Sequence, residues 1–374
     1  MIDKLNQMVA NLDFEKNKII YIQYFIYTLI AVLIVSIFYY IWVKMNLNKW
    51  NCTNLKTIYN TFPSISSFNP DDENYKYLLR DYYIKTAYNC CCGGQFKNDF
   101  VNTCALKTCL GQGVRCLDFE IYSINNKPVI AASSKDNYTF KEMYNKIAFK
   151  DALNIINNEG FSGSSCPNPN DPLILHFRIQ SNNVKMYDVM ADDIYNTIGN
   201  RLLSKDYSYQ YQGHNLGAVP LNEFVRKIII VVDRSNPTFE NTPLNEYVNI
   251  ASNSVFMRAS REYNIINTPA SNELIDYNKK NMTIAMPDLS AYNSNIASTL
   301  NQGYGIQMTA MNFQNFDEKL MYYNLFFDNV GSAFVLKPEI LRFKPLTIPN
   351  PKKQNPAYSY TNREVSSDFY DFQI

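Results

Sequence analysis

The chain has 374 residues, enough for one large core, with 35 Lys and Arg against 34 Asp and Glu and a formal net charge of +1. That balance gives no electrostatic basis for binding nucleic acid or a strongly acidic or basic partner. Tyr and Phe are abundant, with 29 and 23 copies, and Gly is scarce at 12, a bias on which no functional reading rests.

Residues 1–18 are polar and mixed in charge. Ile19 to Val43 then runs without a charge, framed by Lys16 and Lys18 on one side and Lys44 on the other. That length spans a hydrocarbon core, and Tyr21, Tyr24, Tyr39, Tyr40 and Trp42 stand near the ends, where an interfacial belt belongs. The segment is too long for a signal peptide, and no small-x-small cleavage site follows it. Residues 19–43 are therefore expected to form a transmembrane helix, which makes the chain a single-pass membrane protein; the alternative is a buried core helix. Orientation stays undetermined, because Lys4, Lys16 and Lys18 are matched by Lys44, Lys49 and Lys56.

Residues 44–76 read as a polar connector that ends near Pro63, Pro70 and Asp71-Asp72-Glu73. From 77 to 344 short apolar runs alternate with longer amphipathic segments. The runs are Tyr82–Thr86, Val114–Ile121, Pro128–Ala132, Leu173–Ile179, Lys227–Val232, Met282–Met286, Ile306–Asn312 and Phe334–Leu336. Eight such runs predict an α/β fold, a (β/α)8 barrel, with a doubly wound sheet as the alternative. Residues 345–374, with Pro345, Pro349, Pro351 and Pro356, read as an extended tail laid over the barrel or held by a protein partner.

The eight cysteines all lie in the first half, and Cys90-Cys91-Cys92 are contiguous with no histidine near, so no zinc template fits. In an oxidising compartment a few bridges are expected among Cys90–Cys109; in a reducing one these are small core residues. Asn51-Cys52-Thr53, Asn137-Tyr138-Thr139 and Asn281-Met282-Thr283 are sequons of the kind that an Asn-rich chain produces by chance. His214 reads as a solvated loop residue.

Gly113–Ile121 is the centre of the pattern. Strand alternation puts Cys116, Asp118 and Glu120 on one face and Leu117, Phe119 and Ile121 on the other. Two carboxylates on a buried strand need a cation or a partner; the alternative is a half-exposed edge strand with solvated acids.

From Leu78 to Phe343 the sequence resembles the catalytic barrel of eukaryotic-type phosphoinositide-specific phospholipase C. Gly305-Ile306-Gln307-Met308-Thr309-Ala310-Met311-Asn312-Phe313-Gln314 and Phe334-Val335-Leu336-Lys337-Pro338 resemble that family's G-x-Q-x-V-A-L-N-F-Q and Y-V-L-K-P signatures. Asp288–Tyr292, Arg80–Asn89, Gly113–Glu120, Asp171–Leu175 and Ile198–Leu203 resemble further elements, in order. The resemblance implies a distorted (β/α)8 TIM barrel of the phospholipase-C-like phosphodiesterase type; the apolar run 19–43 sets one expected transmembrane helix before it.

It also implies two catalytic histidines and a calcium ion, which lowers the attacking hydroxyl's pKa and neutralises phosphate. The histidine positions hold Tyr88 and Ala132. Of the calcium positions, Asn89 matches, Asp118 and Glu120 appear with their acids exchanged, and the fourth is Arg178. An internal ion pair is expected in the cation's place, with no cofactor; the alternative keeps Asn89, Asp118 and Glu120 as a metal set. Bacterial relatives that use such an arginine keep both histidines. The basic substrate groups are replaced by Val231-Val232-Asp233 and Met286, and only Tyr292, which would stack on the inositol ring, is retained. His176, two residues before Arg178, shares its lumen-facing side and reads as a packed strand residue; the alternative is a relocated catalytic histidine.

The expectation is a membrane-anchored pseudoenzyme, a binding, scaffold or structural membrane component that contacts a phospholipid headgroup or a protein. The competing expectation is a working phosphodiesterase with a rearranged site.

Overall fold

The computed structural model describes residues 2–135, 142–209, 215–345, 349–355, 358, 360 and 362–373. His214 and the Asn137 sequon lie outside the described residues. The first element, α1 (Ile2–Ile58), is a single helix of 57 residues. Its segment Asn17–Ile58 is long and apolar enough to cross a membrane, and none of its apolar window is buried inside the structure. The helix does not stop at Val43. It continues through the first part of the stretch read as a connector, because no Pro or Gly interrupts it before Pro63 and Leu55 is 2% exposed against the barrel.

Eight parallel strands form a nearly closed barrel. They are β1 (Tyr82–Ala87), β2 (Cys116–Ile124), β5 (Leu173–Gln180), β6 (Ile228–Asp233), β7 (Ile250–Ser252), β8 (Met257–Arg261), β9 (Met282–Met286) and β10 (Met308–Met311). They lie in the order β7-β6-β5-β2-β1-β10-β9-β8. The connections carry α2 (Thr103–Gly111), α3 (Phe149–Glu159), α4 (Val184–Ile198), α5 (Glu262–Ile266), α6 (Ser271–Lys280) and α7 (Ser298–Gly303), and α8 (Glu318–Val330) follows β10. This is the (β/α)8 arrangement, so the doubly wound alternative falls.

Two of the eight expected runs are not barrel strands. The run Pro128–Ala132 forms β3 (Lys127–Ala131) up to its last residue; β3 folds back antiparallel on β2 and pairs on its other side with β4 (Ile147–Ala148), and β11 (Phe334–Leu336) pairs antiparallel with β1. The turn into β3 is Asn125-Asn126, both with positive φ (52° and 61°), the two-residue hairpin geometry that Asn tolerates. Their places in the barrel are taken by β7 and β8, too short and too polar to stand out as apolar runs.

β2 is no edge strand. It pairs with β5 from Cys116↔Ile174 through Tyr122↔Gln180, and Asp118 and Glu120 are 0% and 1% exposed. Phe119 packs on Phe177 behind the strands, with ring centroids 5.9 Å apart.

The bridges expected within Cys90–Cys109 are corrected. Cys52 bonds Cys104, with Cα atoms 5.9 Å apart, while Cys90, Cys91, Cys92 and Cys109 are free and buried. The extension of α1 past the apolar run carries Cys52 alongside α2. A second unit, residues 343–374, contains an antiparallel hairpin of β12 (Glu364–Ser367) and β13 (Tyr370–Gln373), so the tail is not extended throughout.

Candidate functional site

The register Asp118↔His176 and Glu120↔Arg178 sets two acids and two bases side by side in the barrel lumen. Asn89 enters from the turn after β1, in a left-handed conformation (φ 41°) that Asn adopts more readily than most residues. Its backbone N–H donates to Asp118 Oδ2 at 3.1 Å.

The Arg178 guanidinium joins them all. Its Nε donates to Asp118 Oδ1 at 3.0 Å, Nη1 to Glu120 Oε2 at 3.0 Å, and Nη2 to Asn89 Oδ1 at 2.7 Å and Asp118 Oδ2 at 3.0 Å. The same group lies 4.8 Å from the centre of the Tyr88 ring, a cation–π contact.

His176 is held at both nitrogens, Nδ1 2.7 Å from Asp118 Oδ1 and Nε2 3.0 Å from Ser252 Oγ. Asp118, His176 and Ser252 are all 0% exposed. Glu120 also accepts a hydrogen bond from the Tyr122 hydroxyl, and the Tyr88 hydroxyl accepts one from Arg261 Nη1 at 2.9 Å.

The electrostatics follow from burial opposed by charge. Burial alone would raise the Asp118 carboxyl, but Arg178 and the hydrogen bond from His176 hold it well below the usual carboxylate range. Glu120 goes the other way: burial pushes it up, and Arg178 and Tyr122 do not cancel that. Burial also raises the Tyr88 phenol, against the pull of Arg178 and Arg261, so it holds its proton at neutral pH. Burial would lower Arg178, yet Asp118 drives it well above its ordinary value.

The structure thus brings Asn89, Asp118, Glu120, Arg178, His176 and Tyr88 together. Ala132 is buried just beyond β3, one residue after Ala131, the register partner of Glu120. Tyr292 stands apart, 71% exposed on the loop after β9. Sequence reasoning missed Tyr122, Ser252 and Arg261. Tyr122 alone had a signal, since it shares a strand face with Glu120. Among the described residues, no three or more His, Cys, Asp or Glu side chains converge as metal ligands.

A parallel (β/α)8 barrel with its polar centre at the carboxyl ends of the strands has the arrangement on which TIM-barrel active sites are built. The family profile of the phosphatidylinositol-specific phospholipase C X domain matches residues 75–234, and that of the Y domain matches residues 229–340. The chain belongs to the phosphatidylinositol-specific phospholipase C family. Among solved structures, PLC21 of L. pealei and PLC21 of S. officinalis each superpose with a TM-score of 0.59 at 22% identity, over 72% of this chain. The chain spans 38% of the length of either protein. No curated protein sequence matches it.

Proposed function

We propose that this chain is a membrane-anchored phospholipase-C-family barrel that does not hydrolyse phosphodiesters and serves as a binding, scaffolding or structural module at a membrane. The observation that carries the reading is the Arg178 guanidinium, bonded at once to Asn89, Asp118 and Glu120. A calcium ion would need those same oxygens and would face a fixed positive charge, so the donor set does not fit calcium. Tyr88 and Ala132 stand where the family resemblance puts histidines. A phenol raised by burial is a poor proton carrier near neutral pH, and alanine carries none.

Helix α1 supplies the anchor. None of its apolar window is buried inside the structure, which water does not tolerate and a bilayer does. Exposed aromatic side chains of the 343–374 unit, such as Tyr360 and Phe369, offer a surface for a protein partner.

One observation favours a second reading. His176 lies between Asp118 and Ser252 as a general base lies between its orienting acid and a hydroxyl, the geometry of a working hydrolase. Complete burial of all three weighs against it, since a substrate needs access to the hydroxyl.

The test is phosphatidylinositol hydrolysis by the full chain, with and without calcium. No turnover in either condition is the expected result. Turnover that His176→Ala abolishes would overturn the proposal in favour of the rearranged enzyme.

A further inference from the structure

Beyond its apolar run, α1 is built into the side of the barrel. Asn51 Nδ2 donates to Asp99 Oδ1 at 2.8 Å, and Asn102 Nδ2 donates to Asn48 Oδ1 at 2.7 Å. The Tyr59 hydroxyl, one residue past the helix, donates to Phe313 O at 2.8 Å. Gly94 lets this segment come close, because a Cβ there would collide with Asp99 Oδ2 and Asn51 Nδ2. The covalent tie in this interface is the bond from Cys52 to Cys104, the second residue of α2.

The cysteines fall into two classes. Cys90, Cys91, Cys92, Cys109, Cys116 and Cys166 are free and at most 3% exposed. Burial pushes the Cys90, Cys92, Cys109, Cys116 and Cys166 thiols up, so they hold their protons and are poor nucleophiles. Cys52 and Cys104 are only half-buried. Cys104 lines a cleft of about 330 Å³ together with Lys56, Tyr59, Phe62, Lys107 and Glu159. That volume admits a small thiol. Two lysines against one glutamate give the lining one net positive charge, which favours a thiolate beside the bond over a neutral thiol. Cys109, also on α2, is five residues from Cys104 and so about 140° away around the helix, facing away from the bond.

We propose that Cys52–Cys104 is a thiol-exchange site, open to a low-molecular-weight thiol of the glutathione class, and that in its oxidised state it clamps the anchor helix to the barrel. A thiolate entering the cleft attacks Cys104 Sγ. The bond to Cys52 breaks, its electron pair leaves on Cys52 Sγ, and that sulfur takes up a proton. A second thiolate attacks the sulfur of the bound small thiol, which releases the small-molecule disulfide and leaves Cys104 to take up a proton. Two small thiols are oxidised to one disulfide, and the protein bond is reduced to two thiols. The segment of α1 beyond Val43 is then held by its hydrogen bonds and the packing of Leu55 alone, and it opens locally. What the clamp does for anchoring rests on the reading of α1 as a membrane span; the exchange itself does not.

The test treats the full chain in detergent micelles with reduced glutathione, removes it, labels the folded protein with N-ethylmaleimide and maps the labelled peptides by mass spectrometry. Without glutathione, no cysteine should be labelled. After it, Cys52 and Cys104 should be labelled and the six buried thiols not, and trypsin should cut after Lys49 and Lys56 several-fold faster. In Cys52→Ser, which leaves Cys104 without a resolving thiol, oxidised glutathione should stay on Cys104 as a mixed disulfide. Labelling of the pair that begins only in urea, together with the other six, overturns the exchange site. So does a Cys52→Ser chain that is folded by circular dichroism and takes up no glutathione. Labelling of the pair with trypsin cleavage unchanged overturns the clamp. Flotation with phosphatidylcholine vesicles reads the anchor separately: a chain that does not float overturns the membrane reading and leaves the labelling result standing.

Discussion

Arg115 and Arg178 are both buried, 0% and 2% exposed, on neighbouring strands or at their edge, yet they are neutralised in opposite ways. Arg115 is met by neutral acceptors: Gly160 O at 2.9 Å and Asn168 Oδ1 at 2.7 Å, with Asn168 O and Cys166 Sγ also in contact. Its acid, Asp171, stands one step back, accepting from Phe68 N and Asn168 Nδ2, each at 3.0 Å. Arg178 is met directly by two carboxylates and an amide oxygen. The first arrangement ties loops at the barrel base to the strand. The second fills a lumen whose ligands would otherwise need a cation, and this difference separates a structural arginine from one that stands in a site.

The largest effect is expected from Arg178→Met. It leaves Asp118 and Glu120 buried without their cation, a loss of about 3–5 kcal/mol of stability. The variant's Tm should then rise in millimolar calcium, because two carboxylates and an amide oxygen would surround a gap open to a hard cation. Thermal melts with and without calcium check this. An equal calcium response in the native chain would break the comparison, since Arg178 would not then be holding the cation's place. Arg115→Met, with neutral acceptors around it, should show no calcium response.

Next in size is the pH dependence of the Arg115 side. Burial pushes the Asp171 carboxyl up to about 6, against its ordinary 3.8, with Arg115 only partly opposing. The native state therefore binds more protons than the unfolded state between those values. The stability Asp171 contributes is fully present below 3.8 and is lost as pH rises through about 6, a change of about 3 kcal/mol. Asp118 has the opposite sign: held below the usual range, its contribution is present above 3.8 and lost on further acidification. Urea melts of the native chain and Asp171→Asn at pH 4 and pH 7 isolate the first term. The native chain should lose ground to the variant by about that amount between the two pH values; a constant difference would show that Asp171 titrates normally.

The Arg178 side was far more legible in the sequence than the Arg115 side, for a reason of geometry. Strand alternation alone puts Asp118 with Glu120 and His176 with Arg178 on single faces, and parallel pairing of consecutive barrel strands makes those faces adjacent. Arg115 precedes its strand and finds partners on a loop at 160–171, where no periodicity links residues. Ser252 and Arg261 were hidden for a related reason. They end β7 and β8, strands of 3 and 5 residues that carry too little apolar pattern to be seen. The hairpin at Asn125-Asn126 was readable, since two Asn between alternating runs are a turn signal; the run after it was instead counted as a barrel strand.

The smallest expected effect tests whether Glu120 belongs to the charged half of the comparison. Tyr122 is 1% exposed and its hydroxyl donates a hydrogen bond to Glu120 Oε1, while Arg178 Nη1 occupies Oε2. Tyr122→Phe removes one charge-assisted bond and should cost about 1–2 kcal/mol. In the Arg178→Met background, burial is left to push the Glu120 carboxyl up with no guanidinium to oppose it, so it takes a proton. The tyrosine then faces a neutral acid, a bond about half as strong, and the same substitution should cost about half as much. A double-mutant cycle in urea reads the difference. Costs that simply add would mean that Glu120 stays ionised without Arg178, and that the guanidinium is there for Asp118 alone.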